Sequence, residues 1–315
     1  MPVALKILSI EPSSRCNSDC LMCIIRERWR EPGLMSEVVF QKVLADGMAL
    51  SPRPRFYFGG TGEPLLHPDC VRWIGEASQQ FETVLQTNAE LLTPKTADEL
   101  LKTNLKRLVL SLDGMTKATF EAIRPGLHFE KVWENIQHFL SLPYSRSHLD
   151  RVYVQMINMP DNRHEQGFFV NTFTLRQSPW VVVFLKNPVS FAHYGPHYHW
   201  KHEDISVPAR PGVMIDPCRM PVYKGDSCRD LFSMLSVMSD GKVAPCCLAL
   251  DDDWNLGSIL QRSLKSLFFD DPLKTYREWW RAGEFDKIPV CRDCMKWRTG
   301  KSPNAPARKG CPACK

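Results

Sequence analysis

From residue 5 to about 187, short apolar runs alternate with stretches in which apolar residues recur every three or four positions. The runs Leu5–Ile10, Arg55–Phe58, Thr83–Gln86, Arg107–Leu112, Val152–Ile157 and Trp180–Leu185 predict β-strands. The stretches 36–49, 68–79, 95–103, 116–123, 129–141 and 162–176 predict the helices between them. Strand followed by helix, repeated about six times, is the pattern of a parallel sheet with helices on its outer face. Six units fall short of the eight that close a barrel. The expected fold is therefore α/β, a partial (β/α)6 barrel with its chemistry at the C-terminal ends of the strands.

After Leu185 the rhythm stops. Residues 188–217 are rich in Pro, His and Tyr and show neither period, which reads as a linker or lid. His193, His197, His199 and His202 crowd this stretch. They fit a polar, aromatic lid over a hydrophilic substrate, with metal binding, phosphate binding or general-base work as the other uses of such a group. Further on, Asp240-Gly241 separates Leu231–Met238 from Val243–Ala244, a hairpin signal, and a helix is expected near 272–282. No internal repeat is visible. The expected division is a barrel over 1–187, a linker or lid over 188–217 and a small domain over 218–315, whose basic end from Lys296 is a solvated, partly ordered segment.

Composition narrows the class. With 43% apolar and 24% charged residues among 315, the chain is globular rather than disordered. No apolar run approaches the ~18 residues that span a bilayer. The N-terminus carries no charged leader with a cleavable apolar stretch, so a cytoplasmic location without membrane association is expected. A formal charge of +5 suits an acidic redox partner and is too small and dispersed to argue for nucleic acid.

Twelve cysteines change the picture, because a reducing compartment disfavours disulfides. They are also grouped: Cys16, Cys20 and Cys23 near the start, and Cys218, Cys228, Cys246, Cys247, Cys291, Cys294, Cys311 and Cys314 in the last third. Cys70 stands alone. Clustered thiols point to metal. The group Cys16-x3-Cys20-x2-Cys23 lies in the loop after the first expected strand, on the active face of such a barrel. Three thiolates can hold three irons of a four-iron cluster and leave the fourth open to chelate a small molecule, whereas a fourth cysteine would close it into an electron carrier. Structural zinc would need a fourth ligand that this loop does not offer nearby.

In these residues the chain resembles the radical S-adenosylmethionine (SAM) superfamily over nearly its whole length. The three cysteines match the family's signature. Phe58-Gly59-Gly60-Thr61-Gly62-Glu63-Pro64, at the end of the second expected strand, resembles the segment that binds the methionine amino group of SAM. Glycine there lets backbone carbonyls approach a ligand closely. The resemblance further implies that Thr87-Asn88, Ser111, Asp113 and Arg124 contact the ribose or carboxylate of SAM. Turn and cap chemistry is the alternative reading of those residue types. Glu63 shapes the loop more than it touches the ligand. Where the family usually carries an aromatic residue before the third cysteine this chain has Met22, whose polarizable sulfur can pack on adenine. The implied chemistry is one-electron cleavage of SAM to methionine and a 5′-deoxyadenosyl radical that takes hydrogen from an unactivated C–H bond. The electron would come from a flavodoxin- or ferredoxin-type donor.

The last third resembles the SPASM or shortened twitch extension of that superfamily, as in its aminoglycoside-pathway epimerases and dehydrogenases. The resemblance rests on Cys228-x12-Gly241-x4-Cys246 and on Cys291-x2-Cys294. It implies one auxiliary [4Fe-4S] cluster on Cys228, Cys246, Cys291 and Cys294. Two other counts stay open: a second auxiliary cluster using Cys311 and Cys314, with Cys218 recruited to the first, or a zinc knuckle on Cys291, Cys294, Cys311 and Cys314.

Cys247 follows an expected ligand and is placed near the barrel mouth, where a free thiol would return hydrogen to a substrate radical from the opposite face. A small buried side chain beside a ligand is the plainer reading. Lys186 and Gln155, at strand ends, are placed to hydrogen-bond substrate. The expected reaction is hydrogen abstraction from a carbinol carbon of a sugar, aminocyclitol or aminoglycoside, leading to epimerisation with Cys247 as donor. Oxidation of that carbinol to a ketone, with the auxiliary cluster as electron acceptor, is the alternative. A third reading is radical modification of a ribosomally made peptide, disfavoured by a first strand that begins by about residue 5 and leaves no room for a leader-binding domain. A non-enzymatic iron–sulfur or zinc module is a fourth, disfavoured by the open-coordination loop.

Overall fold

The structure, a computed structural model, describes residues 3–24, 31–143, 148–175, 180–188, 207, 211–216, 228–247, 249, 255–288 and 291. Its strands are β1 (Ile7–Ile10), β2 (Arg55–Phe58), β3 (Thr83–Thr87), β4 (Arg107–Ser111), β5 (Arg151–Ile157), β6 (Val181–Lys186), β7 (Val213–Asp216), β8 (Met234–Val237) and β9 (Val243–Ala244). Its helices are α1 (Glu37–Met48), α2 (Cys70–Ala77), α3 (Pro94–Leu101), α4 (Lys117–Ile123), α5 (Phe129–Ser141), α6 (Gln166–Thr174), α7 (Arg229–Ser233), α8 (Leu264–Phe269) and α9 (Leu273–Arg281).

One sheet holds all of these strands in the order β7-β6-β5-β4-β3-β2-β1-β8-β9, parallel throughout except for the β8–β9 hairpin. The alternation along each strand explains the layering. Leu8, Ile10, Phe56, Phe58, Leu85, Leu108, Leu110, Val152, Val154, Val183 and Leu185 enter the core between sheet and helices. Their neighbours Ser9, Tyr57, Gln86, Ser111, Tyr153, Gln155 and Lys186 fall on the other face, which is the inside of the partial barrel.

Helix starts follow the capping residues in the sequence. Ser36, Thr93, Thr116 and Ser263 each accept a backbone N–H from the first turn of α1, α3, α4 and α8. Such caps contribute about 1 kcal/mol apiece. In α1, Val39, Phe40, Val43 and Leu44 recur at helical spacing and are buried, with Phe40 stacked on Trp73 of α2 at 4.5 Å between ring centroids.

Three expectations differ from what is found. Within the stretch read as linker or lid, Val213–Asp216 forms β7 and pairs parallel with β6. Its apolar core of three residues is too short to show a period, and the open edge of β6 supplies the pairing. Leu231–Ser233, read as strand, closes α7 instead, because Cys228 caps a helical turn there. The single helix expected over 162–176 is a 3-10 turn, Pro160–Glu165, followed by α6. The histidine-rich residues 193–202 lie outside the described residues, as do Cys218, Cys294, Cys311 and Cys314.

Candidate active site

The loop after β1 runs along the C-terminal ends of the strands and is fastened on two sides. On one side Glu63 N–H donates to the Arg15 carbonyl at 2.9 Å. Beside it, Gly62 is packed so closely that a Cβ would fall 2.1 Å from the Ser13 carbonyl and 2.6 Å from that of Arg15. Only glycine fits there. On the other side Asp19 and Leu21 N–H donate to the carbonyls of Pro125 and Ile123, each at 2.9 Å, and Gly126 (φ +94°) leaves room for the Asn17 carbonyl. The cysteine loop is thus clamped between the glycine segment after β2 and the chain leaving α4.

Within this clamp Cys20 is buried, and Cys16 and Cys23 are half-buried. Burial pushes the Cys16 thiol up to about 12, with Glu63, Cys20 and Cys23 adding to the rise against an opposing hydrogen bond from the Ser18 backbone. Cys20 Sγ lies 3.1 Å from Ser18 Oγ and 3.6 Å from Arg124 Nη1. Among the described residues no three His, Cys, Asp or Glu side chains close on one point as around a single ion. A multi-iron cluster spreads its thiolates over several points, so the sulfur surroundings are the better test of fit. Three thiols within electrostatic reach of one another, with a hydroxyl and a guanidinium directed at one of them, suit an anionic cluster bound by thiolates.

Arg124 is itself buried against Asp113. Its Nε and Nη2 donate to Asp113 Oδ2 at 2.8 and 2.5 Å, while Asp113 Oδ1 accepts the Ile157 N–H at 2.7 Å. Burial would lower the Arg124 pKa, but the charges of Asp113, Cys20 and Cys16 and the hydrogen bond to Asp113 outweigh it and raise it. Asp113 is therefore the partner of Arg124 rather than an open ligand for SAM, and Arg124 keeps Nη1 toward the cysteine loop. Glu63 is likewise turned inward: it accepts from Thr87 Oγ1 at 2.7 Å, Asn88 N–H at 2.8 Å and Leu65 N–H at 3.1 Å. Burial raises its pKa against those donors. Asn88 Nδ2 donates to Asn17 Oδ1 at 2.8 Å, and Asn17 in turn donates to Glu90. Ser111 is buried at the end of β4, opposite Gln155 in register. Met22 packs with Cys20, Ile123 and Met159 in a small apolar cluster of its own.

Glu11 was not anticipated. This carboxylate is 4% exposed, follows β1 directly, and accepts from Thr61 N–H at 3.3 Å, from Thr61 Oγ1–H, and from Ser239 N–H at 3.1 Å. A charged residue between a buried strand and a cysteine loop is the sequence signal that marks it.

The C-terminal thiols are placed differently. Because β8 runs parallel to β1, the hairpin tip at Ser239–Gly241 lies at the mouth beside Glu11. β9 then runs away from it. Cys246 and Cys247 follow β9, whose last ladder pair sets Ala244 opposite Ser236 and, through β8, level with Ser9 of β1. Cys228 caps the start of α7, and its Sγ accepts from Leu231 N–H at 3.5 Å. Cys246 is half-buried, Cys247 exposed and Cys291 buried. Burial and the Cys291 charge raise the Tyr276 hydroxyl, which places α9 beside that thiol.

Comparison with known proteins gives this geometry its class. The profile of the Radical SAM superfamily matches residues 10–167, just over half of the chain, and the chain belongs to that superfamily. A second profile, the SPASM iron–sulfur cluster-binding domain, matches residues 228–295. A radical SAM domain implies SAM with a [4Fe-4S] cluster, and a SPASM domain implies auxiliary iron–sulfur clusters. The chain is 31% identical over 140 residues to a tungsten-containing aldehyde ferredoxin oxidoreductase cofactor-modifying protein of Pyrococcus furiosus, covering 42% of this chain and 39% of that one. It is 28% identical over 207 residues to a GTP 3′,8-cyclase of a Cyanothece species, covering 61% and 60%. It thus spans less than two thirds of the length of these curated relatives.

Among solved structures, BtrN in complex with AdoMet and 2-DOIA superposes with a TM-score of 0.58 at 15% identity, covering 93% of this chain and 94% of that one. AdoMet-bound anSMEcpe gives 0.65 at 20%, covering 95% and 92%. Streptococcus suis SuiB bound to its precursor peptide SuiA gives 0.68 at 15%, covering 87% and 66%. At these identities what is shared is the fold. Among the described residues no helix is long and apolar enough to cross a membrane.

Proposed function

We propose that this radical SAM enzyme takes hydrogen from a carbinol carbon of a small hydroxylated substrate, a sugar, aminocyclitol or aminoglycoside, and that the outcome is epimerisation. In this reading Cys16, Cys20 and Cys23 hold the SAM cluster. Gly59, Gly60, Thr61, Gly62, Asn88, Ser111, Arg124 and Met22 surround SAM, with Glu63 and Asp113 holding the frame. Cys228, Cys246, Cys291 and Cys294 carry an auxiliary cluster.

Bound SAM and its cluster supply a carbon radical able to take hydrogen from an unactivated C–H bond. The chain's own residues decide the fate of the substrate radical. What supports the reading is a thiol separate from the Cys16–Cys23 loop, the exposed Cys247 that follows β9. In this reading a substrate held inside the barrel is attacked on one face and meets Cys247 on the other. The substrate radical would take H from Cys247 Sγ, forming a C–H bond and breaking the S–H bond. One electron from an external donor and one proton would then restore the thiol.

The inner wall supports a polar occupant. Tyr57 donates to Gln86 there, Lys186 is buried, and Gln155 Nε2 is buried with no acceptor. Turnover in heavy water should place one solvent deuterium at the inverted carbon. Cys247→Ala should still produce 5′-deoxyadenosine but no epimer.

A product two mass units lighter would instead indicate oxidation to a ketone. Binding of a precursor peptide without small-molecule substrate would favour the peptide reading, in line with the likeness to SuiB.

A further inference from the structure

We infer that Glu11 is a positioning residue that couples the auxiliary domain to the glycine segment at the SAM site. This goes beyond the proposed reaction and holds whichever substrate is used. The carboxylate stands where three pieces of chain meet. Its own residue follows β1 and opens the cysteine loop, and its backbone N–H donates to the Val237 carbonyl at 3.0 Å. Oε2 accepts from both Thr61 donors, the N–H at 3.3 Å and the hydroxyl. Oε1 accepts from Ser239 N–H at 3.1 Å. Thr61 belongs to the radical SAM match and Ser239 to the SPASM match. Gly60 completes the joint: at φ +138°, a Cβ there would lie 3.0 Å from Glu11 Cβ and Cγ.

The two oxygens thus serve different domains, and a carboxylate is the side chain with two acceptors and no donor. Charge-assisted hydrogen bonds are about twice as strong as neutral ones. Drawing Ser239 toward Oε1 fixes the carboxylate plane, and that plane fixes where Oε2 holds Thr61. The hairpin tip and the glycine segment are then ordered together. By linkage, whatever orders one stabilises the other by the same factor.

Three measurements on the full-length, cluster-loaded chain test this. First, SAM added to the wild type should slow hydrogen exchange at Ser239–Gly241 as well as at Gly59–Glu63. Second, Thr61→Val, which removes a donor from the glycine segment alone, should speed exchange at the hairpin tip. Third, Glu11→Gln, which keeps one acceptor and loses the other, should leave iron content unchanged. It should weaken SAM binding by about tenfold, the equivalent of one such bond. The weakening in the Glu11→Gln/Thr61→Val double variant should be less than the sum of the two. Should Glu11→Gln not load its clusters, the other two measurements decide. An unchanged hairpin tip on SAM addition, or in Thr61→Val, overturns the coupling and leaves Glu11 a local prop. SAM affinity within twofold of wild type in Glu11→Gln overturns its role at the SAM site. Neither result bears on epimerisation, because no substrate is present.

Discussion

At the mouth end of β1, Cys16, Cys20 and Cys23 lie in one short loop gripped from both sides by backbone hydrogen bonds and by glycines that admit no side chain. Cys228, Cys246 and Cys291, by contrast, come from the start of a helix, the exit of a hairpin and a point beyond α9. The first set is built from a few adjacent residues, and the ends of β2, β3 and β4 hold it. The second is gathered across much of the last third. A short loop can be made rigid by its own surroundings, whereas a dispersed set depends on the metal to draw it together.

The largest effect should come from the loop itself. Replacing Cys16, Cys20 or Cys23 with alanine should abolish 5′-deoxyadenosine formation, read by chromatography. Cys228→Ala or Cys246→Ala should keep that activity and lose only substrate turnover. If both sets abolished SAM cleavage equally, the contrast between them would fail. Next is the buried pair behind Cys20. Arg124→Gln strips Asp113 of its charged partner and should cost about 3–5 kcal/mol in urea unfolding, the usual loss when one half of a buried ion pair is removed. Smaller is Gly62→Ala, where backbone must part to admit a methyl. A cost of about 1–3 kcal/mol is expected, appearing as weaker SAM binding by titration. Smallest is the exposed network on α1 and α2. Hydrogen bonds from Arg72, then Gln41 and Trp73, hold the Glu37 carboxyl at about 2, below its ordinary 4.5. A lowered carboxyl lends stability above its unfolded pKa, so this contribution is whole at neutral pH and fades between about 4.5 and 2. Glu37→Gln should remove that slope from a pH-dependent melt and leave both cysteine sites untouched.

The sequence made the first region more legible than the second, for physical reasons. The strand–helix alternation marks β1 to β6 because each element buries one face, and the cysteine spacing is local. Neither cue reaches the pairing of β8 with β1, which joins residues far apart in sequence, or the burial of Glu11, whose partners come from both domains. Asp113 and Arg124 were visible as polar residues near the mouth. That they face each other depends on where α4 ends, and no periodicity carries that.

The bond between Glu11 and Ser239 closes a span of 228 positions. During synthesis β1 emerges well before β8, yet its flank opposite β2 waits for that strand. Until then a run of Ile-Leu-Ser-Ile offers bare backbone to any passing strand, which is how nascent sheets go astray. Folding of this enzyme should accordingly be slow, limited by delivery of its last third, and helped by a chaperone that shields that margin.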